Sequence, residues 1–345
     1  MRHQPLSTLP QRVKVKMYPN ALKAGLVLAP MDGVTDALMR EILTELCPFT
    51  HCVTEFVRVS TLVVPAHVFL SDIPELSTGA ETSCGTPVQV QLLGGDAERM
   101  AESAIVAVSL GAKAVDINFG CPAPTVNRHD GGATLLKFPD RIESIVSSVR
   151  QALPPHIPVS AKLRLGWDDP RAILENAERA ARGGAAWITI HGRTKMQGYT
   201  PPAYWKPIGE VKRALGIPVI ANGEMWTIDD FKRCLDESGC RHFMIGRGAL
   251  ARPHFVNECA RELGLPVRAL EVGSYSWQLL IAELIARATY RAERTERILS
   301  RIKQWLNYAH KQGCCPEFDR IKRLQSLAEI RRALGIEPLE EAQAA

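Results

Sequence analysis

The pattern that constrains this chain most is an eightfold alternation. Short apolar runs rich in Val and Ile are each followed by a stretch with helical character. The runs are LVLAP (26–30), CVTEF (52–56), PVQVQLLG (87–94), AVDINFG (114–120), VSAKLRLG (159–166), WITIHGR (187–193), PVIANGE (218–224) and HFMIGRG (242–248). Between them lie Ala-rich segments such as DAERMAESAIVAVSLGA and DPRAILENAERAARGGA, with acids near their starts and Gly at their ends, as capped helices have. Strand–helix alternation predicts a parallel sheet covered by helices.

Eight such units in about 220 residues are what an α/β protein of the (β/α)8 TIM-barrel type needs. A doubly wound open sheet is the rival. The barrel is preferred because nearly every run ends in a polar or special residue: Pro30 and Met31, Glu55, Gln91, Asn118, Lys162 with Arg164. His191, Asn222 and Gly246 close the later runs in the same way. In a barrel all these ends converge on one mouth, whereas an open sheet gathers only those beside its switch point.

After about residue 260 the strand-like runs stop, and residues 275 to 335 read as helix broken at Gly313 and Pro316. We therefore expect an N-terminal extension (1–24), a barrel (25–262) and a small all-helical domain (263–345). Arg287 to Arg332 holds twelve Lys and Arg against five Asp and Glu, so the net charge of +5 is concentrated there. Such a run suits either a solvated face or a polyanion-binding surface. Nine cysteines lie without framework spacing or a CxxC pair, and no apolar run is long enough to span a bilayer. With no signal peptide in view, these features lead us to expect a cytoplasmic protein without structural zinc.

Several residues bear on chemistry. VIANGE and IGRGAL end the seventh and eighth runs, where barrels commonly hold a phosphate on backbone N–H groups. Gly223, Gly246 and Gly248 would allow close approach, or serve only tight turns; Arg247 could add a charge-assisted fork. Lys162, inside an apolar strand, needs an anionic partner, either a ligand or a carboxylate such as Asp116 or Glu55. Gln91 can bond a flat polar ring. His191 suits a phosphate, a ring or an ordinary core role. Cys121 follows a strand end and precedes Gly131-Gly132, which would let the loop fold over a site. An ordinary thiol, with a pKa of about 8.5, is mostly protonated at neutral pH and can act as a general acid. A buried inert cysteine is the alternative.

LAPMDGVTD, NFGCP, GGATLLK, VSAKLRLGW, HGRTKMQGY, VIANGE and IGRGAL, in this order, resemble the FMN-dependent tRNA-dihydrouridine synthases from residue 26 to the late 320s. TEFVRV and RIKQWLNY further resemble the bacterial branch that modifies uridine 16. The resemblance implies bound FMN, with NADPH as a transient reductant, and tRNA as substrate. Pro30, Met31 and Asp32 would line the flavin, and Gln91 and Lys162 would bond its ring. Asn222, Gly223, Glu224, Gly246 and Arg247 would hold its phosphate side, with His191 nearby. Hydride would reach uracil C6, Cys121 would protonate C5, and Asn118 would orient the base. Arg58, Tyr199, Arg301, Lys303, Tyr308 and Arg323 would touch tRNA. The chain departs from the pattern at Phe119, where that branch often has Cys, and at Asp32, commonly Glu. A monomer without an obligate protein partner is expected. A reductase of free pyrimidines or other small enones and a non-catalytic tRNA-binding protein are the alternatives. The first has no need of a basic helical domain, and the second has no need of a flavin site with a thiol.

Overall fold

The computed structural model describes residues 18–268 and 276–336. The N-terminal extension therefore lies mostly outside the described residues. All eight runs form strands: β1 (Gly25–Leu28), β2 (His51–Arg58), β3 (Val88–Leu93), β4 (Val115–Asn118), β5 (Val159–Arg164), β6 (Ile188–His191), β7 (Val219–Asn222) and β8 (His242–Ile245). They pair in sequence order, and β8 pairs back onto β1 in parallel, so the sheet closes. The (β/α)8 barrel is what the alternation predicts. Its strands are apolar almost throughout because both faces are covered, one by side chains filling the barrel and one by helices.

The intervening helices each bury one stripe. Helix Ala97–Ser109 buries Met100, Ser103, Ala104 and Ala107, and helix Pro139–Ala152 buries Ile142, Ile145, Val146 and Val149. These are the i, i+3, i+4, i+7 positions of a helix lying on a sheet. Asp36 and Asp96 cap their helices by accepting the N–H of Met39 and Arg99.

The C-terminal part is helical, as Trp277–Tyr290, Thr295–Lys311, Phe318–Ile321 and Leu327–Leu334. Ile298, Ile302, Trp305 and Ala309 form a buried stripe on the longest of these. Trp305 donates from Nε1 to the carbonyl of Leu250 at 2.9 Å, just past β8. Arg287 reaches Glu41 and Glu45, both at 2.6 Å, and Arg291 also pairs with Glu41. Arg297 meets Asp36 at 3.1 Å. Much of the cationic run thus neutralises acids on helix Ala37–Leu46 and its cap, and holds the helical part to the β8–β1 side of the barrel. No helix among the described residues is long and apolar enough to cross a membrane.

Candidate functional site

The C-terminal ends of the strands surround a cavity of about 470 Å³. Its lining includes Pro30, Met31 and Asp32 after β1, Gln91 from β3, and Asn118 and Cys121 at and after β4. Lys162, His191, Asn222, Gly223 and Glu224 join them from β5 to β7, and Gly246 and Arg247 after β8. Tyr199 and, from the helical part, Tyr308 close the rim. The structure thus brings together every residue expected to line a flavin, together with the thiol.

The Cys121 turn is held from below. Asn118 Oδ1 accepts the N–H groups of Gly120 and Cys121, both at 2.9 Å, and Asn118 Nδ2 donates to Gln91 Oε1 at 2.9 Å. Gln91 Nε2 then donates to Asp116 Oδ2 at 2.7 Å, and Ser160 Oγ donates to the other carboxylate oxygen. Burial pushes the Asp116 pKa up to about 6, with Ser160, Gln91 and Lys162 opposing, so the group is mostly ionised at neutral pH. Asn118 was expected to orient a base. Its side chain lines the cavity and makes three hydrogen bonds inside the protein, two of them shaping the turn that carries the thiol, with one Nδ2 hydrogen outside them.

The loop after Cys121 is held as well. The Cys121 carbonyl accepts from Ala133 N–H at 3.1 Å and from Asn127 Nδ2 at 3.3 Å. Gly132 has φ +58°, and a Cβ there would lie 2.9 Å from both the Cys121 carbonyl oxygen and Val126 Cγ1. Farther on, Arg141 bonds both Asp130 oxygens, at 2.8 and 2.7 Å, and the Gly95 carbonyl. In this conformation the glycine pair serves close packing and, at Gly132, a left-handed turn. Phe119 is wholly buried, so the departure there falls in the core.

Cys121 is half-buried and unpaired. Burial, with Asp32 adding, raises its pKa above the ordinary thiol value, although Arg164 and Lys162 pull the other way. The thiol is therefore protonated at neutral pH.

The wall that runs from β5, next to the thiol turn, round to β8 is cationic. Lys162 Nζ bonds Asn222 Oδ1 at 3.3 Å rather than a carboxylate, and burial beside Arg164 lowers its pKa to about 8. Arg164 uses its hydrogen bonds on the carbonyls of Gly120, Thr194 and Gly198. Arg247 and Arg164 lie 5.1 and 5.3 Å from the ring of Tyr199. His191 is buried and its Nδ1 has no partner. Burial and its cationic neighbours, Arg164 first, hold that imidazole neutral. Gly223 sits at φ +131°, where a side chain would be strained and would press on Ala203. A neutral imidazole nitrogen without a partner, open glycine backbone and Arg247 together fit an anion.

Glu224 lines the cavity with Asn222 and Gly223, and its side chain also has partners within the protein. Its carboxylate pairs with the buried Arg193 and accepts from Trp226 Nε1 at 3.1 Å. From sequence, Arg164 reads only as a strand-end residue at the mouth, and Arg193 and Trp226 are not named there. A charged side chain inside LRLG and HGR was the available signal.

The sequence profile of the dihydrouridine synthase family (Dus) matches residues 27–331. The chain belongs to the dihydrouridine synthase family. A tRNA-dihydrouridine(16) synthase of Shewanella oneidensis is 44% identical over 322 residues, covering 92% of this chain and 98% of the relative. Proteins of the same name from Neisseria meningitidis serogroup B and Pseudomonas putida are 41% and 43% identical, over 91% and 90% of this chain and 94% and 97% of theirs. Among solved structures, histamine dehydrogenase from Rhizobium sp. 4-9 superposes with TM-score 0.53 at 13% identity, covering 72% of this chain and 47% of that one. A 2-naphthoyl-CoA reductase gives TM-score 0.50 at 13% identity, covering 69% and 50%. These two share the fold alone.

For this dihydrouridine synthase, the residues expected to meet RNA divide into two groups. Arg58 and Arg323 are exposed, Tyr199 is 57% exposed, and Lys303 and Tyr308 are half-buried. Arg301 is only 6% exposed and its guanidinium joins Asp36 and Glu293, the latter at 2.7 Å. It is a strut between the helical part and the barrel, where a surface contact was expected. Among the described residues no group of acids, His and Cys could hold a metal ion.

Proposed function

We propose that the chain reduces the C5=C6 bond of uridine 16 in tRNA to 5,6-dihydrouridine, using bound FMN that NADPH re-reduces. The observation that carries this reading is the cavity itself, with a protonated thiol after β4 and a cationic wall that starts beside it on β5 and ends at the glycines after β7 and β8. FMN would lie with its phosphate toward Gly223, Gly246, Arg247 and His191, and its ring against Pro30, Met31, Gln91 and Lys162. When bound, it would supply the hydride that adds at uracil C6.

The protein's own groups do the rest. Uracil C5=C6 is conjugated to the C4 carbonyl, so addition at C6 leaves carbanion character at C5. Cys121 holds the proton for C5 at its Sγ, because its surroundings keep the thiol from ionising. Asn118 fixes where that sulfur points, through the two N–H groups it accepts. Gln91 links the thiol turn to the buried Asp116, accepting from Asn118 and donating to the carboxylate. Lys162 offers an ammonium to negative charge on the ring. Arg58, Tyr199, Lys303, Tyr308 and Arg323 would meet the RNA. The target base must leave its stack to enter the mouth. The helical domain from residue 263 onward would receive the RNA body.

Purified protein is expected to be yellow. Lys162→Met is expected to lower flavin retention about 10- to 100-fold, the worth of a hydrogen bond to a charged group, as read by absorbance after gel filtration; full retention would remove Lys162 from the cofactor site. Mapping dihydrouridine in tRNA from a strain lacking this protein tests the function. Loss at position 16 alone is expected. Loss at another position overturns the site assignment, and an unchanged map overturns the RNA substrate.

A further inference from the structure

Three loops that follow β4, β5 and β6 meet beside the cavity. Lys137 ends the turn Gly132–Lys137, Trp167 follows β5, and Lys195 follows β6. Lys137 Nζ stands 3.8 Å from the centre of the Trp167 ring, and Lys195 Nζ 4.1 Å from it. The arrangement is fixed by backbone. Lys195 N–H donates to the Gly166 carbonyl and Met196 N–H to the Trp167 carbonyl, both at 2.9 Å.

Two ammonium groups are therefore gathered on one indole. Each is attracted to the ring, and the two repel one another. Among the described residues neither lysine forms an ion pair with a carboxylate. Of the acids in the same loop, Asp169 binds Arg171 at 2.8 Å, while the exposed Asp168 accepts the N–H of Asp169 at 3.0 Å and forms no ion pair with either lysine. The pair lacks an anion. Met196, 63% exposed, and Tyr199 continue the surface toward the cavity with apolar and aromatic area. The helical part packs on the β8–β1 side, and in an eight-stranded ring β5 lies opposite β1.

We infer that Lys137, Trp167 and Lys195 form a second RNA-docking surface, which takes backbone phosphate of the tRNA on the far side of the mouth from the helical domain. The inference rests on the tRNA reading above. Its geometry places the extruded base between two anchors: the helical domain on one side and this cationic shelf on the other. Phosphate contacts of this kind position the RNA without reading its sequence.

The test uses the full-length, flavin-loaded chain and an unmodified tRNA transcript. Lys137→Met with Lys195→Met keeps hydrocarbon over the indole and removes both charges. The expected result is a KM for tRNA raised about tenfold with kcat within about twofold. The slope of log(kcat/KM) against log[salt] should flatten by about one to two. Lys137→Arg with Lys195→Arg should restore both. Unchanged KM and salt slope in the Met pair, with the parent protein active on tRNA, would overturn this inference alone. A parent protein without activity on tRNA would overturn the functional reading and this one with it.

Discussion

Cys121→Ala is expected to leave the protein yellow and folded while lowering dihydrouridine formation about 10²- to 10⁴-fold, the usual worth of a positioned general acid. The substitution removes one sulfur from a turn whose shape is set by backbone N–H groups on Asn118, so the turn itself should persist. Flavin reduction by NADPH should proceed at its ordinary rate, because no hydrogen bond from the thiol supports the cofactor wall. Rapid-mixing of the reduced variant with tRNA would separate the two half-reactions. Turnover equal to the parent's would remove the thiol as acid. The pH profile gives a second check. An acid works in its protonated form, and burial raises this pKa above the ordinary thiol value. The thiol should therefore hold its proton through neutrality and limit the rate as pH climbs past the usual thiol range, above any fall near pH 8 from loss of the Lys162 ammonium. A decline centred near pH 6 would point to another group.

Arg301→Ala should unfold the junction between the two parts of the molecule before it does anything to RNA affinity. The guanidinium is 6% exposed and lies between Asp36 and Glu293, themselves mostly covered. Removing it leaves Asp36 and Glu293 to the more exposed Arg297, 3.1 and 3.7 Å away, so the loss should stay below about 3 kcal/mol, the low end for a buried ion pair left with no partner. Thermal unfolding without RNA should show a lower midpoint. Lys303→Ala, on the same helix but half-buried and outside that cluster, should leave the midpoint alone and weaken tRNA binding modestly. An Arg301→Ala protein of parental stability with weakened RNA binding would return Arg301 to the RNA surface.

The barrel was legible because parallel strands covered on both faces read as unbroken apolar runs, and the polar residue closing each run marks the mouth. Cys121, Lys162 and the glycines after β7 and β8 were legible for the same reason. Side-chain partners were not. Asn118 has the chemistry to meet a base, and only coordinates reveal that its oxygen is spent on Gly120 and Cys121. Glu224 and Arg193 lie 31 positions apart on separate strand ends, so no spacing rule pairs them. The charge of the C-terminal helices misled in one respect. Its neutralising acids, Asp36, Glu41 and Glu45, lie on and at the cap of the first barrel helix, some 250 residues away. For Arg301 a clue was present. It stands three positions after Ile298 and four before Trp305, on the stripe that turns inward.

The tied loop behind Cys121 has a consequence for how substrates are chosen. With its carbonyl held by Ala133 and Asn127 and its amide by Asn118, the sulfur already has a set position in this conformation. Whatever work is needed to pull a uridine out of its helix must come from the nucleic acid's own looseness and from anchorage outside the pocket. A thiol preset in this way would favour transcripts whose strand opens readily at the target uridine.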